Sequence, residues 1–378
     1  MIKLNLKKLA KKNFDSADCV VIKIGSALLV DLETNALRLD WLNSVASDID
    51  QLKCMGKKVV IVSSGSIALG RKILNLKDTR LSLEESQAAA AVGQILLAQS
   101  YQKCLEKHGI ISAQILVTSE DSRNRRRYLN SRATLLKLLE MGVVPVVNEN
   151  DTVATDEIRF GDNDRLAAQV SSLCDANILV LLSDVDGLYT SDPKLDANAV
   201  HIHIVDRVTE AIELMAKEKK DGLSKGGMRT KIEAAKVAVS AGCHMAISDG
   251  FSKSPISKVM LGGKATWFLS SDNPIDARKQ WIYNTKPKGE VFVDLGAEQA
   301  ISKGKSLLPA GVIRITGVFS RGDTVVLLSS EGKILARGLI GYSNVDVDLI
   351  KGCHSSKIQT ILGHPGRSVL IHRNDMTL

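Results

Sequence analysis

Short apolar runs recur through the first part of this chain, and each stops abruptly in polar residues. Residues 19–24 (CVVIKI) end at Gly25-Ser26, and residues 59–62 (VVIV) end at Ser63-Ser64-Gly65-Ser66. Val143–Val147 ends at Asn148-Glu149-Asn150-Asp151, and residues 178–182 end at Ser183, Asp184 and Asp186. Two further runs lie at 111–117 and 244–248, the second closing the series. Helix-period segments alternate with them: 40–56 with a stop at Gly56, an Ala-rich stretch at 84–107, and one carrying Leu135, Leu138 and Leu139. Others cover 165–174, 206–218 and 230–241. Buried strands alternating with helices predict an α/β fold, a mostly parallel sheet sandwiched by helices. After about Lys286 the pattern changes to short alternating runs with Gly-rich turns, which predicts a small β-rich domain joined near Pro287.

In open α/β sheets, ligands sit at the carboxyl ends of the strands. The densest polar cluster there is Gly142–Asp164 (GVVPVVNENDTVATDEIRFGDND), with Asp151, Asp162, Asn163 and Asp164. Such a stretch is a ligand loop or, equally, an acidic surface loop of turn formers. Lys23 lies in an apolar run, where a charge is costly without a partner. It could meet a nucleotide phosphate beside the Gly25-Ser26 turn, or be an edge lysine; no GxxxxGK[ST] motif is present. Ser63–Ser66 offers N–H groups and hydroxyls to an anion, or a plain helix cap. The loop DGLSKGGMRTK allows close backbone approach at Gly226 and Gly227 and brings charge at Lys225 and Lys231. Small side chains around 84–107 suggest close packing on another helix, within the subunit or across a dimer.

Composition narrows the class. The chain has 378 residues, 44% hydrophobic and 24% charged, which allows about two domains and a normal core. Net charge is +8, compatible with phosphate-rich partners but also with ordinary lysine usage. Six scattered cysteines without a CxxC pair argue against zinc or a disulfide framework and suit reduced thiols in the cytoplasm. No apolar run reaches membrane-spanning length. The basic start MIKLNLKKLAKK has no signal-type core; Ile2, Leu6 and Leu9 could line one side of a short helix, frayed, packed or attracted to a membrane surface.

Four blocks taken together resemble the amino-acid kinase family. They are VIKIGS (21–26), VVIVSSGSIALG (59–70), NENDTVAT with FGDND, and LLSDVDGLYTSDP with GGMRTKIEAA. The NEND and GDND pair is similar to the glutamate-phosphorylating branch, and the tail from KGEVFVDLG to GKILARGL resembles a PUA domain. The resemblance implies an N-terminal extension at 1–18, a kinase domain at 19–280 and a PUA-like domain at 288–367. It implies ATP- and Mg²⁺-dependent phosphorylation of the γ-carboxylate of L-glutamate, the first step of proline synthesis. Lys23, Lys231, Asp162 and Asp164 would be catalytic, Asp164 holding the lysines and Asp162 orienting metal-linked groups. Ser64, Asp151 and Asn163 would meet glutamate. Lys23, Ser183, Asp184, Lys225, Gly226, Gly227, Met228, Arg229, Thr230 and Lys231 would meet the nucleotide. The family more often has Thr at the position of Ser183. No dedicated metal ligands are assigned, because Mg²⁺ would arrive on ATP. Proline as feedback inhibitor, a homo-oligomer and a working partnership with glutamyl phosphate reductase are further implications. The rivals are another kinase of the family, acting on aspartate, acetylglutamate or uridylate, and an RNA-binding or RNA-modifying protein using Arg314, Arg321 and Arg337.

Overall fold

The computed structural model describes residues 2–31, 36–76, 81–118, 121, 124–153, 163–216 and 227–378, with side chains from Leu6 onward. It divides into two compact units, Met1–Arg123 with Asn130–Pro274, and Asn124–Leu129 with Ile275–Leu378.

The first unit is built on β1 (Cys19–Ile24), β2 (Lys58–Ser63), β3 (Ser112–Val117), β4 (Val144–Glu149), β5 (Ile178–Ser183), β6 (Leu188–Tyr189), β7 (His201–Ile202), β8 (Ile204–Val205), β9 (His244–Asp249) and β10 (Ala265–Phe268). Eight of them form one sheet in the order β3-β4-β2-β1-β5-β9-β10-β8, and β6 pairs separately with β7. From β3 to β9 every neighbour is parallel. Both faces of β1 and β5 are covered, which is why their sequences are continuous apolar runs rather than alternating ones. The register aligns Ile24 with Ser63 and Leu182, so the polar stops emerge along one edge. The series does not close at 244–248: β10 follows antiparallel to β9, and β8 pairs with β10. These strands are too short for a period of two to show. The 206–218 helix is described over Glu210–Met215, and the 165–174 helix starts earlier, at Asn163.

The N-terminal extension is a helix, Ile2–Ser16, packed into the first unit. Its Leu6, Ala10 and Phe14 are buried at four-residue spacing, and Phe14 meets Trp267 edge-on at 6.2 Å. Among the described side chains that stripe is buried within the protein, and Lys7, Lys8, Lys11 and Lys12 are exposed. Among the described residues, no helix is long and apolar enough to cross a membrane.

Close packing of the Ala-rich helix, Leu83–Glu106, occurs within the subunit against Ser66–Ile73. A Cβ on Gly70 would lie 1.7 Å from the Ala89 carbonyl oxygen, and one on Gly93 would lie 1.8 Å from that of Ser66. The Leu83–Glu106 helix opens with a capping box from Ser82 and Glu85.

The second unit carries β11 (Gly289–Val293), β12 (Val312–Gly317), β13 (Thr324–Leu328), β14 (Ile334–Leu339) and β15 (Met376–Thr377), ordered β12-β11-β13-β14-β15. Val291, Val293, Phe319, Leu327 and Ile350 belong to its own core. The Arg314 guanidinium lies over the Phe292 ring at 3.4 Å and that of Arg337 over Tyr283 at 5.0 Å. Cys19, Cys104, Cys174 and Cys243 are buried free thiols, whereas Cys54 is exposed.

Gly93→Ala should destabilise the protein by about 3 kcal/mol, because the added methyl meets backbone that cannot rotate away. Urea unfolding against wild type measures it, and a change below about 0.5 kcal/mol would show that the helices can separate.

Candidate active site

Three elements bring charge together at the carboxyl edge of the sheet. Lys23 is the next-to-last residue of β1, flanked in register by Val62 and Leu181. Asp164 is the second residue of the Asn163–Leu173 helix, and Lys231 the fourth of Met228–Ser240. The Lys23 ammonium lies 2.6 Å from Asp164 Oδ1, and that of Lys231 lies 3.0 Å from Oδ2. Thr230 Oγ1 sits 3.5 Å from Oδ2 and donates to the Gly227 carbonyl at 2.9 Å. All three charged residues are buried: Lys23 is 8%, Lys231 4% and Asp164 2% exposed. Burial alone would raise the Asp164 carboxyl, but the two ammonium groups outweigh it and hold the carboxyl below its usual range. The helix start adds to this, since its N-terminal dipole favours an anion.

Beside this cluster runs a chain of amides and hydroxyls. Asn163 Nδ2 donates toward the Ser63 carbonyl (2.9 Å), Ser64 Oγ (2.6 Å) and Asn148 Oδ1 (3.1 Å). Asn148 Nδ2 faces Gln94 Oε1 at 2.8 Å and Ser66 Oγ at 3.4 Å. Ser66 Oγ donates to Asp151 Oδ2 at 2.9 Å. Burial pushes the Asp151 carboxyl up, and the Ser66 hydrogen bond partly offsets this. Gly65, at φ +108°, provides the left-handed turn that delivers Ser64 and Ser66 to this chain.

The structure thus brings Lys23, Lys231 and Asp164 together, with Ser64, Asn163 and Asp151 on an adjoining network. Ser183 Oγ donates to Asp184 Oδ1 at 3.0 Å at the end of β5, with Asp184 exposed. Gly227 and Met228 are half-buried at the start of the Met228–Ser240 helix. Arg229 points outward and pairs with Glu233 on the next turn, at 3.3 Å. Asp162, Lys225 and Gly226 lie outside the described residues. Sequence reasoning offered Ser66 only as one of several groups for an anion or a cap, and left Asn148 and Gln94 without roles. Asn148 opens the NEND cluster and so carried a signal; Gln94, inside an Ala-rich helix, carried none.

A carboxyl whose pKa falls on folding adds stability above its unfolded value of about 3.9, and loses it as pH falls through the folded value. Asp164→Asn should therefore lower the unfolding free energy at pH 7 by about 3–5 kcal/mol, the usual effect of breaking a buried pair. The deficit should shrink on acidification below pH ~4, where wild type loses the same interaction. Urea titrations at pH 7 and pH 3 test this; an equal deficit at both would remove the ion pairs as its source.

Family models match the chain twice: the amino acid kinase family over residues 18–249 and the PUA domain over 289–362. A glutamate 5-kinase of Dinoroseobacter shibae is 55% identical over 363 residues, 96% of this chain and 99% of that protein. One from Roseobacter denitrificans is 56% identical, covering 96% and 97%, and one from Agrobacterium fabrum 51% identical, covering 98% and 95%. With its two-lysine centre, parallel sheet and β-rich second unit, the chain belongs to the amino acid kinase family, in the glutamate 5-kinase branch that carries a C-terminal PUA domain.

Proposed function

We propose that the protein transfers the γ-phosphoryl group of ATP to the γ-carboxylate of L-glutamate, forming γ-glutamyl phosphate for proline biosynthesis. The observation that carries this reading is the convergence of two buried ammonium groups on Asp164 beside a network ending in Asp151. Curated relatives at more than half identity over nearly the full chain support the same substrate.

The chemistry explains the residues. A glutamate γ-carboxylate, with an ordinary pKa of about 4.3, is ionised at neutral pH and needs no general base. The obstacle is repulsion between that anion and the triphosphate, so catalysis rests on positioning and on offsetting charge. Lys23 and Lys231 meet the transferring group from two elements, and Asp164 fixes them. Its carboxyl, held below the usual range, is a poor proton acceptor, which fits a positioning role. Ser64 and Asn163 hold the substrate, and Asp151 meets its α-ammonium. The start of the Met228–Ser240 helix and the Ser183–Asp184 turn approach the nucleotide, joined by Lys225 and Gly226; Asp162 orients metal-linked groups. Magnesium enters with ATP. Asp164 is already engaged by two ammonium groups, so phosphate oxygens and water are its natural ligands. A cytoplasmic homo-oligomer, feedback inhibition by proline near the glutamate pocket, and hand-over of the labile acyl phosphate to glutamyl phosphate reductase complete the reading.

Incubation with ATP, Mg²⁺, hydroxylamine and L-glutamate should give γ-glutamyl hydroxamate, lost without ATP. Product from aspartate or acetylglutamate instead would overturn the substrate. Lys231→Ala should fold and lose at least about a thousandfold in kcat, a loss typical of removing transition-state charge stabilisation; near-normal turnover would exclude the lysine. Asp151→Asn should raise KM for glutamate about tenfold or more with KM for ATP unchanged. An effect confined to ATP would reassign Asp151.

A further inference from the structure

The amide chain beside the lysines has a fixed polarity, and one backbone group sets it. The Ser63 carbonyl can only accept, so Asn163 must turn its nitrogen toward it. The same nitrogen then faces Asn148, which presents Oδ1 to Asn163 and Nδ2 to Gln94 and Ser66. Gln94 in turn must present Oε1. Ser66 Oγ accepts from Asn148, so its own proton goes to Asp151. Each orientation follows from the one before it, without a free choice of amide flip.

The two ends of this chain are left with opposite character. One end is the Asp151 carboxylate, held as an acceptor by Ser66. The other is Gln94 Nε2, an enclosed amide donor that meets no acceptor among the described residues. An enclosed donor without a partner carries a desolvation cost, which a bound anion would remove. Gln94 is held in place by the helix contact at Gly93, whose approach to Ser66 leaves no room for a side chain.

We propose that Gln94 donates to the α-carboxylate of the amino-acid substrate while Ser66 positions Asp151 for its α-ammonium, so that the chain Gln94–Asn148–Ser66–Asp151 recognises a zwitterion. This rests on the function proposed above and adds two specificity residues to it. Gln94 touches substrate. Ser66 acts through Asp151.

Two substrate analogues separate the ends. 4-Aminobutyrate keeps the ammonium and the reacting carboxylate but lacks the α-carboxylate; glutarate keeps both carboxylates and lacks the ammonium. Gln94→Glu retains an oxygen for Asn148 and replaces the donor by an anion. It should raise KM for L-glutamate about 30-fold or more, the scale of a lost hydrogen bond to a charged group, and leave the Ki of 4-aminobutyrate as a competitor unchanged. Ser66→Ala should raise KM for L-glutamate about fivefold, with kcat and KM for ATP unchanged and the Ki of glutarate unaltered. If Gln94→Glu leaves KM for glutamate unchanged, or weakens 4-aminobutyrate as much as glutamate, Gln94 does not bind the α-carboxylate. If Ser66→Ala weakens glutarate equally, Ser66 has only a packing role. Wild-type enzyme forming no glutamyl hydroxamate would instead sink the functional reading itself, a result distinct from active wild type with unaltered variants.

Discussion

One buried carboxylate governs the organisation of the site. Asp164 is removed from water and would favour its neutral form there, but the ammonium groups of Lys23 and Lys231 lie within 3.0 Å and keep it charged. The dependence is mutual. Two lysines brought together on the carboxyl edge of a covered sheet would repel each other and lose hydration unless an anion stood between them. The strand carrying Lys23, the helix start carrying Asp164 and the helix start carrying Lys231 are therefore bound into one electrostatic unit. A site made this way is costly to fold and well suited to a substrate pair that is itself strongly anionic.

Packing sets the second half of the site. Gly70 and Gly93 bring the Ser66–Ile73 and Leu83–Glu106 helices into backbone contact, and this draws Gln94 to the end of β4, where Asn148 waits. The amide chain then inherits its direction from the Ser63 carbonyl. Charge dominates at the lysine end, which suits the phosphoryl transfer proposed above. Neutral hydrogen bonds dominate at the other, which suits the proposed selection among similar small acids, since a wrong ligand leaves donors and acceptors unmatched.

Much of this was legible along the chain because the controlling physics is local or periodic. Strands buried on both faces must be apolar throughout, so β1, β2, β4 and β5 announced themselves, and their abrupt polar ends marked the ligand edge. A lysine inside such a run is expensive, which made Lys23 conspicuous. The extension at 1–18 was less readable: Ile2, Leu6 and Leu9 fit a free or a docked helix equally, and the burial of Leu6, Ala10 and Phe14, with Phe14 edge-on to Trp267, decides. The strands β8, β10 and β15 were too short to show a period.

Sequence alone determined the class of fold, the change of architecture near residue 286 and the candidate charges Lys23, Lys231, Asp151 and Asp164, since each follows from residue type, spacing or a multi-block resemblance. Tertiary structure decided which of these meet. Asp164 and Lys231 are 67 residues apart yet share a hydrogen bond, and Asn148 and Gln94 are 54 apart. Hydrogen-bond partners are fixed by distance and direction in space, which no one-dimensional spacing encodes. That is why Gln94 passed as one more polar residue on an Ala-rich helix, and why its enclosed amide became visible only in the fold.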